Sequence, residues 1–158
     1  MAWSRKFEKE YREKKERLNK AGGEKRIEKE HQKGKYTARE RLERLFDNGE
    51  FEEIEMMLES RIVMDGVYKK HYIGDGVIAA YGKVNGINIY AISQDCTISG
   101  GAGGEAHVNK ICDTLELAIK TRRPMVYLCD SGGARIEEGI LSLSSYSRLF
   151  RLNTQASG

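Results

Sequence analysis

Two glycine-rich stretches hold the residues most able to do chemistry: "SGGAGGEAH" at 99–107 and "DSGGAR" at 130–135. Three chemistries compete for them. A nucleophile at Ser131 would need a histidine held by an acid. His31 lies in a charged segment and His71 precedes a hairpin, so neither is placed to activate it. The nucleophile elbow G-x-S-x-G also fails, since Cys129 stands at its first glycine. A dinucleotide site fits Gly101-x-Gly103-x-x-Ala106, with Asp130 ending the next strand where a ribose-binding acid would sit. Against it, "QDCTIS" separates the apolar strand from the glycines, whereas the fingerprint wants a tight strand-to-helix turn. No Gly-Lys-Ser/Thr follows either stretch, which excludes a P-loop. The third chemistry is an oxyanion hole. Gly132, Gly133 and Ala134 lie between an apolar strand and an expected helix start, where backbone N–H groups are unpaired and positive. Small side chains let a ligand oxygen reach them. Such donors stabilise a thioester oxygen as the α-carbon becomes an enolate, and they require no side-chain nucleophile. Close packing of a tight turn stays open as the bland reading of either loop.

The elements that must position these loops follow from periodicity. Residues 3–20 read as a helix with a thin apolar stripe of Trp3, Phe7, Tyr11 and Leu18, ended by "AGG". Helix can resume at 24–32, and "KGK" at 33–35 is a turn. Thr37 and Glu40 form a capping box for a helix whose apolar face is Leu42, Leu45 and Phe46. "GVIAAYGKV" (76–84) and "INIYAIS" (87–93), joined by Asn85-Gly86, predict a hairpin. Residues 104–120 form an amphipathic helix with Val108, Ile111, Leu115, Ala118 and Ile119 on one side. "PMVYLC" (124–129) is an apolar strand. Residues 135–152 return to helix period through Ile136, Ile140, Leu143, Tyr146, Leu149 and Phe150. This order predicts a layered α/β fold. The last β-α unit calls for one more strand, so the chain is expected to be a piece of a larger protein.

Composition narrows the class. The chain has 158 residues, 39% hydrophobic and 32% charged, enough for one domain with a real core. Apolar runs are far short of the roughly 20 residues that span a bilayer, so no direct membrane insertion is expected. The start is charged throughout, without the pattern of a signal peptide. Residues 1–50 carry 16 Lys+Arg and 11 Asp+Glu, but the signs interleave, which favours a solvated helix face over a nucleic-acid stripe. Cys96, Cys112 and Cys129 form no CxxC pair and no metal set, and read as buried free thiols in a reducing, cytoplasmic setting.

Four stretches resemble the β-type carboxyltransferase subunits of biotin-dependent acyl-CoA carboxylases and decarboxylases, of the propionyl-CoA and methylmalonyl-CoA kind. They are "GKYTARERLERLFDNGEFEE" (34–53), the segment 74–111 from "GDGVIAAYGKVNG" onward, "DSGGARIEEGI" (130–140) and "NTQASG" (153–158), in the family's order and spacing. The resemblance implies a crotonase-like fold of β-β-α units, with residues 1–33 as a charged helical arm and 34–158 as the N-terminal part of an acyl-CoA carboxyltransferase domain. It also implies that the N–H groups of Gly133 and Ala134 hold the thioester oxygen. The loop of Gly100, Gly101, Gly103 and Gly104 would border CoA, and Gly132 would let the chain turn. Arg135 either touches a CoA phosphate or pairs with Glu137, Glu138 or Asp130. Ser131 is structural, a helix cap. The implied cofactor is biotin, which in the family is carried on a partner domain and serves as the base after losing its carboxyl group. Implied partners are a biotin carboxyl carrier and a biotin carboxylase, or the membrane subunits of a decarboxylase, in a homo-oligomer. Family members are several times longer, so the isolated chain is expected to be inactive. The rivals are an NAD(P)-binding dehydrogenase domain and a non-catalytic assembly module.

Overall fold

The computed structural model describes residues 2–60 and 72–157; His71 and Gly158 fall outside them, as does the side chain of Trp3. Among the described residues five α-helices and four strands follow one another: α1 (Ala2–Asn19), α2 (Glu24–Gln32), α3 (Ala38–Leu45), β1 (Phe51–Ile54), β2 (Val77–Val84), β3 (Ile87–Gln94), α4 (Glu105–Thr121), β4 (Met125–Leu128) and α5 (Ile140–Ala156). The strands form one sheet in the order β1-β2-β3-β4. The first three pair antiparallel, while β4 lies parallel to β3, with α4 as the crossover between them.

Local chemistry explains the boundaries. The Thr37 hydroxyl accepts the Glu40 N–H, and the Glu40 carboxylate accepts the Thr37 N–H at 2.7 Å, the reciprocal capping expected for α3. Asn85 and Gly86 both take left-handed backbone in the β2–β3 turn. Asp47 accepts both of their N–H groups at 2.8 Å, tying the end of α3 to the hairpin. Strand β1 was not singled out by sequence: "FEEI" is too short and acidic to stand out, and pairing with β2 creates it.

The sheet is covered on both faces. Ala38, Leu42 and Phe46 of the α3 segment pack on Ile78, Ala80, Ile89 and Ala91. On the other face, Val108, Ile111, Leu115, Leu149 and Leu152 of α4 and α5 pack on Val77, Ala79 and Ile92. The alternation along β2 and β3 supplies both faces.

Three expectations change. The last helix does not begin at 135. A 3-10 turn at Ile136–Glu138 comes first, and α5 starts at Ile140 and runs through "NTQA" to Ala156. Four of the six apolar residues expected on its inner face point outward, while Leu149 is buried and Tyr146 packs against the core. Ile136, Ile140, Leu143 and Phe150 are exposed, whereas Ser142 and Ser145 are buried, because small hydroxylated side chains let α5 approach the glycine loop. Of the thiols, only Cys112 is buried, and Cys129 is exposed beyond the end of β4. Phe7 and Tyr11 of α1 are half exposed, among i,i+4 ion pairs such as Arg12–Glu8. The N-terminal segment nonetheless touches the domain. The Gly22 N–H donates to Thr97 Oγ1 at 2.9 Å, and Arg26 donates to the Thr97 carbonyl at 2.8 Å. Among the described residues no helix is long and apolar enough to cross a membrane.

Candidate functional site

Both glycine loops lie past the C-terminal ends of the parallel strands β3 and β4, so the sheet sets them side by side. They are stitched by backbone bonds. The N–H groups of Gly132, Gly103 and Arg135 donate to the carbonyls of Gly100, Gly133 and Gly103 at 3.0, 2.8 and 2.9 Å. Ser131 Oγ donates to the Gly101 carbonyl at 2.6 Å. Gly101, Gly103 and Gly104 are glycines because their neighbours leave no room. A Cβ on Gly101 would fall on the Asp130 carbonyl oxygen, and one on Gly104 on the Glu138 carboxylate. One on Gly103 would sit 2.6 Å from the Tyr146 hydroxyl. Close packing thus accounts for three of the four glycines expected to border a ligand. Gly100 and Gly133 differ. Both have positive φ, and a Cβ on either would meet nothing within 4 Å. Gly132 is not left-handed, so the turn expected there is made at Gly133, with φ of 101°.

The bridge between Gly103 and Ala134 is parallel, and in it Gly103 bonds the residues on either side of Ala134. The Ala134 N–H therefore points away from the first loop. It has no partner among the described residues. The Gly133 N–H reaches only Ser131 Oγ, at 3.1 Å, on an exposed turn. These donors are loop amides and not the first turn of a helix, because α5 begins six residues after Ala134. For the same reason Ser131 caps no helix. It is also no nucleophile among the described residues: His107 is engaged elsewhere, and His31 binds Glu40 at 3.0 Å.

Beneath the loops lies a buried polar network. Gly74, Asp75 and Gly76 take three consecutive left-handed conformations, and this turn drives the Asp75 carboxylate into the core. Arg135, 1% exposed, donates to Asp75 at 2.7 Å, to Glu138 at 2.8 Å and to the Ala102 carbonyl at 2.9 Å. The contact of Arg135 with a CoA phosphate is thereby corrected: two buried carboxylates hold the guanidinium inward, and of its foreseen partners only Glu138 takes it. Burial pushes the Asp75 carboxyl above its usual range, against the pull of Arg135. His107 donates from Nδ1 to the Asp75 carbonyl at 2.8 Å, and its Nε2 lies 3.1 Å from Gln94 Nε2. Burial lowers its pKa to about 4, so it is neutral near pH 7 and accepts from the amide. Gln94 Oε1 accepts the Asp130 N–H at 3.2 Å. Asp75, Gln94 and Glu138 were not predicted as site residues; the flanking glycines of "GDG" are the one signal that could have marked Asp75.

The dinucleotide reading fails on charge. A pyrophosphate would need the first amides of α4. The Glu105 N–H instead donates to Glu138 at 2.6 Å and the His107 N–H to Asp75 at 3.1 Å, so two carboxylates fill that place. Asp130 is not free for a ribose, since Lys35 holds it at 3.0 Å. Glu30, Cys96 and Asp130 also bring ligand atoms within 4.8 Å of one another, but Lys33 and Lys35 each bond one of the two carboxylates.

The sequence and fold match known proteins. The carboxyl transferase domain family matches residues 29–158, and the chain belongs to that family. It is 44% identical over 137 residues to the propionyl-CoA carboxylase beta chain of Cereibacter sphaeroides, covering 87% of this chain and 27% of that one. It is 47% identical over 145 residues to the methylmalonyl-CoA decarboxylase subunit alpha of Propionigenium modestum, covering 92% of this chain and 28% of that one. The transcarboxylase 12S core, solved as a hexamer assembly with methylmalonyl-CoA and methylmalonic acid bound, superposes with a TM-score of 0.91 at 39% identity. That likeness covers 98% of this chain and 30% of the other. The fold is thus crotonase-like over partial length, and the chain spans less than a third of these relatives.

Proposed function

We propose that this chain forms the acyl-CoA wall of a biotin-dependent carboxyltransferase, and that the N–H groups of Gly133 and Ala134 hold the oxygen of the acyl thioester. The observation that carries this reading is the Ala134 N–H, unpartnered and turned away from a loop that the rest of the domain holds in place. An oxygen placed there accepts the Ala134 N–H, and the Gly133 N–H in exchange for its bond to Ser131 Oγ. As the α-carbon loses a proton or a carboxyl group, negative charge grows on that oxygen and both bonds strengthen. Removing one such donor typically costs about 3–4 kcal/mol of barrier. Loop amides gain little from a helix dipole, so their worth comes from being fixed and needing no reorganisation.

Biotin, when bound, supplies the carboxyl group and takes up the α-proton. The open approach at Gly100 and Gly133 fits a planar acyl thioester, while no residue of this chain is assigned to biotin. We place biotin on a partner carrier domain, with the carboxylase or decarboxylase subunits of the family as further partners and a homo-oligomer as the assembly. The chain alone is proposed to hold CoA loosely and to transfer no carboxyl group; acyl-CoA-dependent decarboxylation of carboxybiotin by these 158 residues would refute that.

The test is a titration of the 15N-labelled chain with millimolar propionyl-CoA and, separately, NAD. The amides of Gly133 and Ala134 are expected to shift downfield with the thioester and to stay put with the dinucleotide. Equal responses to both, or none to the thioester, would remove the reading.

A further inference from the structure

The polar residues under the glycine loops form one continuous chain of bonds, and that chain begins and ends on the same loop. Its first link is the Asp130 N–H on Gln94 Oε1, and Gln94 then donates to His107. His107 donates to the Asp75 carbonyl, and the Asp75 carboxylate receives Arg135. Arg135 returns to the far end of the loop, so residues 130 and 135 are anchored to one buried frame. Side branches fix what lies beside it. Arg135 also donates to the Ala102 carbonyl of the first glycine loop. Glu138 joins Arg135 to the first amide of α4, and Ser142 accepts the Arg135 N–H at 3.1 Å while donating to the Gly103 carbonyl at 2.7 Å. Asp75, His107, Arg135 and Glu138 are all at most 5% exposed. A buried pair of this kind adds little net stability over an apolar replacement, yet it is costly to break and specifies one geometry.

We propose that Arg135, through Asp75, His107 and Gln94, is a positioning residue. It sets the aim of the Gly133 and Ala134 N–H groups without touching the acyl-CoA. This rests on the reading that those groups bind a thioester oxygen. The frame explains why the loop keeps the Ala134 donor outward, and the Gly133 N–H on nothing but Ser131 Oγ, although its glycines would let it relax. Bonds at Asp130, Ser131, Gly132, the Gly133 carbonyl and Arg135 hold the chain on both sides of the Ala134 amide, which cannot turn inward.

The experiment compares two ligands on the full chain by 15N titration: propionyl-CoA, and S-propyl-CoA, a thioether that lacks the carbonyl oxygen. Their affinity ratio reads the donors alone, because every other contact is shared. The wild type is expected to favour the thioester about fivefold, the size of one modest hydrogen bond. Arg135→Lys keeps the charge but loses the planar fork, and should bring the ratio to within twofold of one while thioether affinity changes less than twofold. A ratio unchanged in Arg135→Lys, or parallel loss for both ligands, overturns the positioning role and leaves the thioester reading intact. A wild type without preference overturns the thioester reading itself. If Arg135→Lys does not fold, Gln94→Met, which cuts the frame at its other end, decides by the same ratio.

Discussion

The two glycine loops look alike in sequence and differ in what their glycines are for. In the first, Gly101, Gly103 and Gly104 leave room for the Asp130 carbonyl, the Tyr146 hydroxyl and the Glu138 carboxylate. Adding a methyl group at Gly101 drives it into backbone, and at Gly103 or Gly104 into the ends of the Tyr146 and Glu138 side chains. In the second, Gly132 meets only an ordinary contact with the Gly100 carbonyl, at 3.5 Å, and Gly133 meets nothing. The first loop is a floor pressed against its neighbour, and the second is the surface that floor supports. A run of glycines is therefore evidence of close approach, and only the geometry says whether a ligand or another loop makes it.

The largest effect that would break this contrast is expected at Gly101. Gly101→Ala combines a backbone collision with a left-handed φ of 69°, and should cost about 4 kcal/mol or more in urea unfolding. A loss under about 1 kcal/mol would mean that the loops are not pressed together.

Next comes acid. The His107 pKa lies near 4 when folded, below its usual 6.5, because burial disfavours the imidazolium; the Arg135 and Lys110 cations push the same way, and a bond to Asp75 opposes them. Between these values the unfolded chain binds a proton that the folded chain refuses. Stability is therefore full above about pH 6.5 and falls toward pH 4, by ~3 kcal/mol from this group. Unfolding at pH 7 and pH 4.5, compared with His107→Gln, isolates that slope; equal slopes in the two proteins would exclude His107.

Smaller effects sharpen the other side. Gly133→Ala faces open space, but its φ of 101° should cost about 1–2 kcal/mol. Gly132→Ala has neither strain nor collision, and should change stability by less than about 0.5 kcal/mol. A Gly132→Ala variant as damaged as Gly101→Ala would erase the distinction between the loops.

Much of the fold is legible because it rests on local signals. The Thr37–Glu40 capping box, the Asn85-Gly86 turn and the period of α4 each act within a few residues, and each boundary falls where those residues place it. What could not be read depends on distant partners. Strand β1 exists because β2 offers it an edge. The face of α5 was misjudged in part because apolar periodicity points to burial, while it is Ser142 that is buried on the Gly103 carbonyl. Arg135 was left with two roles because "ARIEE" shows Glu138 within reach but gives no sign of Asp75, sixty positions earlier.

The sequence by itself determined the family, the order of elements other than β1, and the two loops, since these are carried by contiguous motifs. Only the tertiary structure decided which amides are free. Backbone donors are the same in every residue, so their availability depends on what folds against them. Here Ala134 keeps its N–H because Gly103 bonds past it, and because Arg135 is held inward by acids that the chain brings from far away.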